Sequence, residues 1–483
     1  MNIQHIEQWL CFRCVLEPFL SFDVSTTGEI AVCSYCGKKN QCWPIELLAD
    51  RIEQAFEDHY VRTPTEPDDW QQSLLRDSES DYEWDRDGEP VREAIEGAAQ
   101  IPDDAVSDVL EILGDRHFDF DTAAMGVEYE FSPESHYERK NSNDSIWQYE
   151  WRCFEKTLKT EARYFSRGAA DHLAAVFGGI DELSTSDGKP VVVDVGPSAP
   201  INMLFRARVF QSEERLKEAL CRPDRHLGSP PARAAATGRM NARGISVFYG
   251  ATSQSVALAE VRPPVGSYVA LAPFKIIRPL RLLDISALEK AADYGSIFDP
   301  ALLARTERAV FLQSLSRIMT RPVMPDDQEF DYLATQAVAD FLATENLPML
   351  DGILFKSTQS TDGDNIVLFH KASRVKSMDL PTGVKLNAET VSWDSDGGYP
   401  EYNVWEQVPV PDEAEDSPKL RPWAVTPPSV REDEDMREDT LDVIPTSVEV
   451  HHVKRVKVEC DAHLVTRHRR QEVDSALSSS TRF

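Results

Sequence analysis

The chain has 483 residues, of which 82 are acidic and 51 are Lys or Arg, so its formal net charge at pH 7 is −31. A charge of this sign repels phosphate backbones and excludes the general class of nucleic-acid-coating proteins. Hydrophobic residues make up 41% of the chain, as in ordinary globular proteins, and its length predicts two or three domains.

The sequence offers no membrane segment. No apolar run reaches the roughly 20 residues that a transmembrane helix needs. Residues 1–5 lack the basic stretch and apolar core that begin a signal peptide. We therefore expect a cytoplasmic protein without a membrane partner.

The charge is distributed unevenly. Residues 61–150 contain 25 acidic and 7 basic residues, whereas residues 201–290 contain 7 acidic and 14 basic residues. The acidic segment is interpreted as a solvated surface, with docking to a basic partner as the alternative. The basic segment is suited to binding an anion.

Two CxxC pairs lie near the start of the chain, with eighteen residues between them. They are Cys11 with Cys14 and Cys33 with Cys36. Each pair places two sulfurs on one tight turn, and the spacing predicts a four-thiolate zinc site within a zinc ribbon over residues 1–45. Disulfides are the alternative. Four thiolates leave no open coordination position, so the zinc is expected to be structural.

The remaining chain is predicted to be α+β. Apolar residues at helical spacing predict a helical domain over residues 46–183, interrupted by an acidic loop. From residue 190 to 375, short β-type runs alternate with helices near 252–261, 301–316 and 330–344, which indicates a mixed α/β domain. An acidic extension follows over 376–483. Within it, two segments alternate like strands, namely 448–453 and 456–458.

Five residues of the mixed domain stand out chemically. They are Arg206, Arg239, Tyr249, Glu260 and Ser357. Guanidinium groups bind phosphate bidentately, and Arg239 lies on a loop next to a glycine. Glu260 falls in the last turn of a predicted helix, where the helix dipole disfavours a carboxylate. Taken singly, each arginine is compatible with a surface cation, Glu260 with a solvent-facing or salt-bridged side chain and Tyr249 with a core position. Ser357 alone carries little information.

Taken together and in this order, the five residues resemble the RES-domain family, which is named for Arg, Glu and Ser and supplies toxins of bacterial toxin–antitoxin pairs. The matching pieces surround these residues over about 200–375. The N-terminal cysteine pairs and helices are similar to the HEPN/RES N-terminal domain that is often fused ahead of it. The resemblance implies a fold similar to that of ADP-ribosyltransferase toxins, NAD⁺ as substrate, and an antitoxin as partner.

The resemblance also implies a reaction and roles. The bond between nicotinamide and ribose is cleaved, with phosphate or water as acceptor. Arg206 and Arg239 would bind the diphosphate or the attacking phosphate, and Tyr249 would orient the nicotinamide. Glu260 would stabilise the oxocarbenium-like ribose, and Ser357 would position Glu260 or a phosphate oxygen. Arg208 is the alternative for the first arginine.

Two other functions remain open from the sequence. The same site can transfer ADP-ribose to a protein, or the chain can be a HEPN-type ribonuclease or a binding protein with an inactive RES domain. Arg167 and His172 have the Arg-x4-His spacing of HEPN ribonucleases, although a purely structural helix explains them more simply. The acceptor and the oligomeric state are not fixed by the sequence.

Overall fold

The computed structural model covers most of the chain. The residues that it describes are 8–77, 80–360, 362–395, 397–409, 435–457 and 460–469. None of the helices in these ranges combines the length and apolar character needed to cross a bilayer. The first seven residues of the predicted ribbon, Val458 of the last predicted strand and parts of the acidic extension lie outside the described residues.

The N-terminal module is a three-stranded antiparallel sheet with a helix inserted between the two cysteine pairs. Its elements are β1 (Trp9–Cys11), α1 (Pro18–Thr27), β2 (Glu29–Val32) and β3 (Lys39–Pro44). The strand order is β1-β3-β2. The helix begins at Pro18, whose fixed φ suits the first helical position, and the Glu17 carboxylate accepts a hydrogen bond from the Leu20 amide at 2.7 Å.

Helices and a small second sheet follow. The elements are α2 (Ile45–His59), β4 (Tyr60–Arg62), α3 (Asp69–Arg76), β5 (Glu89–Pro90), α4 (Val91–Ala99), α5 (Asp103–His117), α6 (Phe120–Ala124) and β6 (His136–Arg139). The buried faces of α2, α4 and α5 form one core, which also includes Phe298 and Leu302 from far along the chain. The Arg51 Nη2 donates to the Phe298 carbonyl at 2.9 Å, so this core is tied to the rest of the protein.

Two further helices pack elsewhere. They are α7 (Ser145–Thr160) and α8 (Arg167–Phe177). The sequence grouped them with the preceding helices in 46–183. In the structure, Trp151 and Phe177 instead join a core with Phe311 and Leu342, against the large sheet. This packing favours a domain boundary near residue 144, because residues that share a core fold together.

The second half of the chain alternates strands and helices. The elements up to residue 368 are β7 (Ser184–Thr185), β8 (Val192–Val195), β9 (Met203–Phe210), α9 (Glu213–Cys221), α10 (Pro223–His226), β10 (Phe248–Ala251), α11 (Gln254–Glu260), β11 (Tyr268–Ile276), β12 (Leu280–Asp284), α12 (Ile285–Leu288), β13 (Ala291–Ala292), α13 (Leu302–Thr320), α14 (Gln328–Thr344), β14 (Gly352–Lys356) and β15 (Asp364–Leu368). The predicted helices near 252–261, 301–316 and 330–344 are confirmed as α11, α13 and α14. The mixed α/β character of this region is confirmed as well.

The later strands join the same architecture. They are β16 (Lys385–Asp394), β17 (Gly397–Gln407), β18 (Leu441–Val443) and β19 (Glu449–His452). The first two form a hairpin, whereas β18 and β19 both pair with β11. The strand predicted over 448–453 is therefore confirmed, and part of the predicted acidic extension completes the large sheet. The described residues Val456 and Lys457 are not in a strand.

Among the described residues, nine strands form this large sheet in the order β18-β11-β9-β10-β15-β14-β12-β8, with β19 also on β11. Strands β9 and β11 are paired at eight successive positions. Strands β9 and β10, by contrast, are paired at one position, Ala251 with Phe205. The sheet is therefore split between β9 and β10 into two halves joined by a single residue pair.

The packing of α7 and α8 predicts where the chain can be truncated. A chain beginning at Lys189 loses four buried side chains, Trp151, Phe154, Leu173 and Phe177, each contributing about 2 kcal/mol of burial. We expect this chain to aggregate or to melt without a cooperative transition, whereas a chain beginning at Asn141 remains folded. Size-exclusion chromatography and thermal unfolding of both chains test this. A monomeric, cooperatively folding 189–483 chain contradicts the packing.

Candidate functional site

A cavity of about 670 Å³ opens where the large sheet is split. This volume lies in the range of small-molecule sites. Four of the five predicted residues line it, namely Arg206, Arg239, Tyr249 and Glu260. Among all its lining residues, four are Arg and one is Glu, so the cavity is cationic and suited to an anionic ligand.

The loop that carries Arg239 is held by buried amides. The Asn241 Nδ2 donates to the carbonyl oxygens of Ala236 at 2.9 Å and Ile245 at 3.1 Å, which closes the loop on itself. The Gln336 Nε2, from α14, donates to the Gly238 carbonyl at 2.8 Å. Because Asn241 and Gln336 are both buried, these bonds are shielded from water and fix the loop against the helix.

The guanidinium group of Arg239 donates hydrogen bonds to backbone carbonyl groups. Its Nη1 donates to the Met319 carbonyl and its Nη2 to the Arg321 carbonyl, each at 2.7 Å. Its guanidinium lies 5.1 Å from the ring centroid of Tyr332. The Thr335 hydroxyl donates to the Arg239 carbonyl at 2.7 Å. Arg239 therefore caps the end of α13 and holds one wall of the cavity.

Tyr249 connects its strand to the same loop. Its hydroxyl donates to Asn241 Oδ1 at 2.9 Å and accepts a hydrogen bond from the Met240 amide at 3.1 Å. Burial raises the pKa of Tyr249 to about 12, so the phenol is neutral at pH 7. A Cβ added at Gly238 would lie 2.5 Å from this hydroxyl, which explains the glycine beside Arg239.

Glu260 ends α11 at the mouth of the cavity. The helix begins with the Ser253 hydroxyl accepting from the Val256 amide at 3.3 Å, and the chain leaves it through Arg262, whose φ is +42°. The exposed Glu260 carboxylate accepts a hydrogen bond from Asn365 Nδ2 at 3.2 Å. Asn365 is buried on β15 and was not identified from the sequence. The available signal was a polar residue at the start of an otherwise apolar strand.

Arg206 lies at the split itself. Its guanidinium is 4.8 Å from the ring centroid of Phe248, and its Nη1 is buried without a hydrogen-bond partner among the described residues. Burial, followed by repulsion from Arg208, lowers the pKa of Arg206 to about 9. Burial also lowers the pKa of Arg208, which lines the cavity too. An anion would compensate both charges.

Ser357 is the one predicted residue that does not line the cavity. Its hydroxyl accepts a hydrogen bond from the Gln359 amide at 3.1 Å and shapes the turn after β14. Thr358 and Gln359, which follow it, do line the cavity. Ser357 therefore shapes the turn that carries two lining residues. Its predicted contact with Glu260 or phosphate stays a prediction.

The four predicted metal ligands come together in the N-terminal module. Their Sγ atoms all lie within 4.8 Å of one another, with separations of 3.6 Å for Cys11–Cys14, 3.7 Å for Cys11–Cys36 and 3.9 Å for Cys14–Cys33. A tetrahedral zinc with bonds of ~2.3 Å requires sulfurs about 3.8 Å apart. The group therefore fits zinc, and Gly37, with φ of +70°, provides the sharp turn after Cys36.

The Arg-x4-His pair is not brought together in a cavity. Arg167 is exposed at the start of α8. His172 lies beside the rings of Trp151 and Phe154, with centroids 6.0 and 5.6 Å away, and burial lowers its pKa. A second cavity is lined by His172 but not by Arg167. This arrangement favours the structural interpretation of the helix.

Zinc removal is expected to unfold the N-terminal module. Because structural zinc contributes on the order of 10 kcal/mol in small zinc modules, a Cys36→Ser variant should bind less than one zinc and melt at lower temperature. Cys153→Ser, at an exposed cysteine outside the cluster, is the matched control. Elemental analysis and thermal unfolding measure both effects. The site is contradicted if the purified wild-type protein contains no zinc and melts at the same temperature as the Cys36→Ser variant.

The close approach at Gly238 gives a second prediction. Gly238→Ala places a Cβ against Tyr249 Oη and Asn241 Oδ1 and should cost about 1–3 kcal/mol of stability. Gly168→Ala, in α8, meets no atom within 4 Å and should be neutral or slightly stabilising. Chemical denaturation of both variants provides the comparison. Equal stability of the two variants would show that the loop is not packed as described.

Comparison with protein families finds a match over a range that includes most residues of this cavity. The family model of the RES domain matches residues 206–394. No curated protein and no solved structure matches the chain. The match begins at Arg206 and spans Arg239, Tyr249, Glu260 and Ser357. The likeness of the N-terminal part to the HEPN/RES N-terminal domain stays a prediction. The segment from residue 206 to 394, which contains the split in the sheet and most of its cavity, therefore matches the family model of the RES domain.

Proposed function

We propose that this protein cleaves the bond between nicotinamide and ribose of NAD⁺, with phosphate or water as the acceptor. The RES family is associated with NAD⁺-related toxin activity. The observation that carries the proposal is that Arg206 and Glu260 line the same cationic cavity. Arg206 Nη1 has no hydrogen-bond partner among the described residues and is available for a ligand. An antitoxin partner follows from the same proposal, because unchecked loss of NAD⁺ harms the cell that makes the enzyme.

The cationic wall suits the diphosphate of the dinucleotide. Guanidinium groups bind phosphate oxygens through pairs of charge-assisted hydrogen bonds. Arg206 offers an unsatisfied N–H at the split, whereas Arg239 already donates to two carbonyl oxygens. We therefore assign the phosphate contact to Arg206 and assign Arg239 to positioning the loop and the wall of the cavity.

The reacting end would lie toward Glu260. As the bond between C1′ and the nicotinamide nitrogen breaks, its electron pair leaves with nicotinamide and the ribose becomes oxocarbenium-like. A fixed carboxylate stabilises that positive charge, and the Asn365 amide limits the orientations of Glu260. An oxygen of phosphate or water then bonds to C1′, and where water is the acceptor one of its protons is released to solvent. The ring of Tyr249 offers an aromatic surface for nicotinamide within the same cavity.

We also propose that the fold is similar to that of ADP-ribosyltransferase toxins. The same chemistry would serve a protein nucleophile in place of phosphate or water. Structural zinc in the N-terminal module would then stabilise the fold without entering the reaction, since the described cysteine cluster is separate from the lining of this cavity.

Glu260→Gln tests the assignment of the carboxylate. The amide preserves the size of the side chain but removes the charge, so NAD⁺ consumption should fall about 100-fold or more while the unfolding temperature is unchanged. Glu218→Gln, at an exposed position of α9, is the matched control. Mass spectrometry of NAD⁺ reactions with and without phosphate identifies the products. Consumption by folded Glu260→Gln at the wild-type rate contradicts the assignment.

A further inference from the structure

Two arginines at the split, Arg206 and Arg208, form no ion pair with any of the residues that the structure describes. Arg206 and Arg208 are two residues apart on β9, so their side chains leave the same face of the strand, and both line the cavity. No oxygen atom of the described residues accepts a hydrogen bond from Arg206 Nη1. Arg208 likewise makes no ion pair or side-chain hydrogen bond within the described part of the chain. The pair is a concentration of positive charge without an internal partner.

Two other partly buried arginines, Arg86 and Arg308, have hydrogen-bond acceptors within the fold. The Arg86 guanidinium contacts the Glu128 carboxylate, with Nη2 to Oε2 at 2.7 Å. Arg308 donates from Nε to the Val176 carbonyl at 2.9 Å and from Nη2 to the Gly178 carbonyl at 2.6 Å. In both cases the fold supplies acceptors for a partly desolvated guanidinium group. The absence of such partners at Arg206 and Arg208 calls for a ligand.

The electrostatics agree with this geometry. Burial and the nearby Arg208 lower the pKa of Arg206, and burial alone lowers the pKa of Arg208. Two cations that are desolvated side by side destabilise the folded state unless an anion lies between them. The ring of Phe248, 4.8 Å from the Arg206 guanidinium, orients that group but cannot neutralise its charge.

We propose that Arg206 and Arg208 together bind one phosphate group in the split between β9 and β10. Two planar guanidinium groups present enough N–H donors to contact several oxygens of one tetrahedral anion. The choice of phosphate rests on the proposed function, which supplies two sources: the diphosphate of NAD⁺ and inorganic phosphate. The family resemblance assigns one arginine of β9 to the site. The proposal adds Arg208 as a second ligand from the same strand.

Calorimetric titration of the full-length, zinc-loaded protein with inorganic phosphate tests the pair. In a buffer free of phosphate and sulfate, wild-type protein should bind phosphate, and Arg208→Gln should weaken the affinity at least tenfold. Arg215→Gln, at an exposed arginine of α9, should bind as the wild type does. Arg208→Lys keeps the charge without the planar fork and should weaken binding less than Arg208→Gln; it serves as the test if Arg208→Gln fails to fold.

A second titration with ADP-ribose distinguishes the two sources. If phosphate binds alongside ADP-ribose and the Arg208 variants weaken phosphate alone, the group is inorganic phosphate. If the variants weaken ADP-ribose, the group is the diphosphate. Either result supports the pair. Folded Arg208 variants that bind both compounds like wild type overturn it, as does wild-type protein that binds neither. These titrations measure binding and not turnover. If the NAD⁺ assay fails but phosphate or ADP-ribose still binds through Arg208, the proposed reaction is wrong and the anion site stands.

Discussion

The single residue pair between β9 and β10 is the constraint on which the rest of the site depends. Ala251 and Phe205 join two half-sheets that are otherwise paired within themselves, with eight positions between β9 and β11 and four between β10 and β15. The halves separate beyond this pair, and Arg206, the next residue on β9, lines the cavity that opens there. A fully paired sheet would leave no room for a ligand there.

Buried polar groups away from the reacting centre hold the cavity in shape. Asn241 and Gln336 fix the loop, Tyr249 ties that loop to β10, and Arg239 ties it to the end of α13. Such groups are costly to bury unless every partner is satisfied, so the network specifies one arrangement of the loop. The stability of the loop and the geometry of the site are therefore coupled, and mutations in the network should affect both.

The sequence predicted local features well and distant pairings poorly. Helices α11, α13 and α14 and strand β19 follow from periodicity, and the cysteine spacing places four sulfurs together because each pair sits on one turn. The contact between Asn365 and Glu260 joins residues more than a hundred positions apart, which no local pattern encodes. The packing of α7 and α8 on the large sheet and the pairing of β18 with β11 were missed for the same reason. Ser357 was selected because it follows the apolar run of β14 and fits the order of the family's residues, but it lies in the turn between two lining residues, Phe355 and Thr358, and does not itself line the cavity.

The most direct test of this account is an experimental structure of the protein with ADP-ribose. We predict that the nucleotide lies in the split between β9 and β10, with a phosphate oxygen within hydrogen-bond distance of Arg206 Nη1 and the terminal ribose facing Glu260. A nucleotide bound elsewhere, or bound in the cavity while Arg206 Nη1 stays unpaired, would show that the split of the sheet does not form the substrate site.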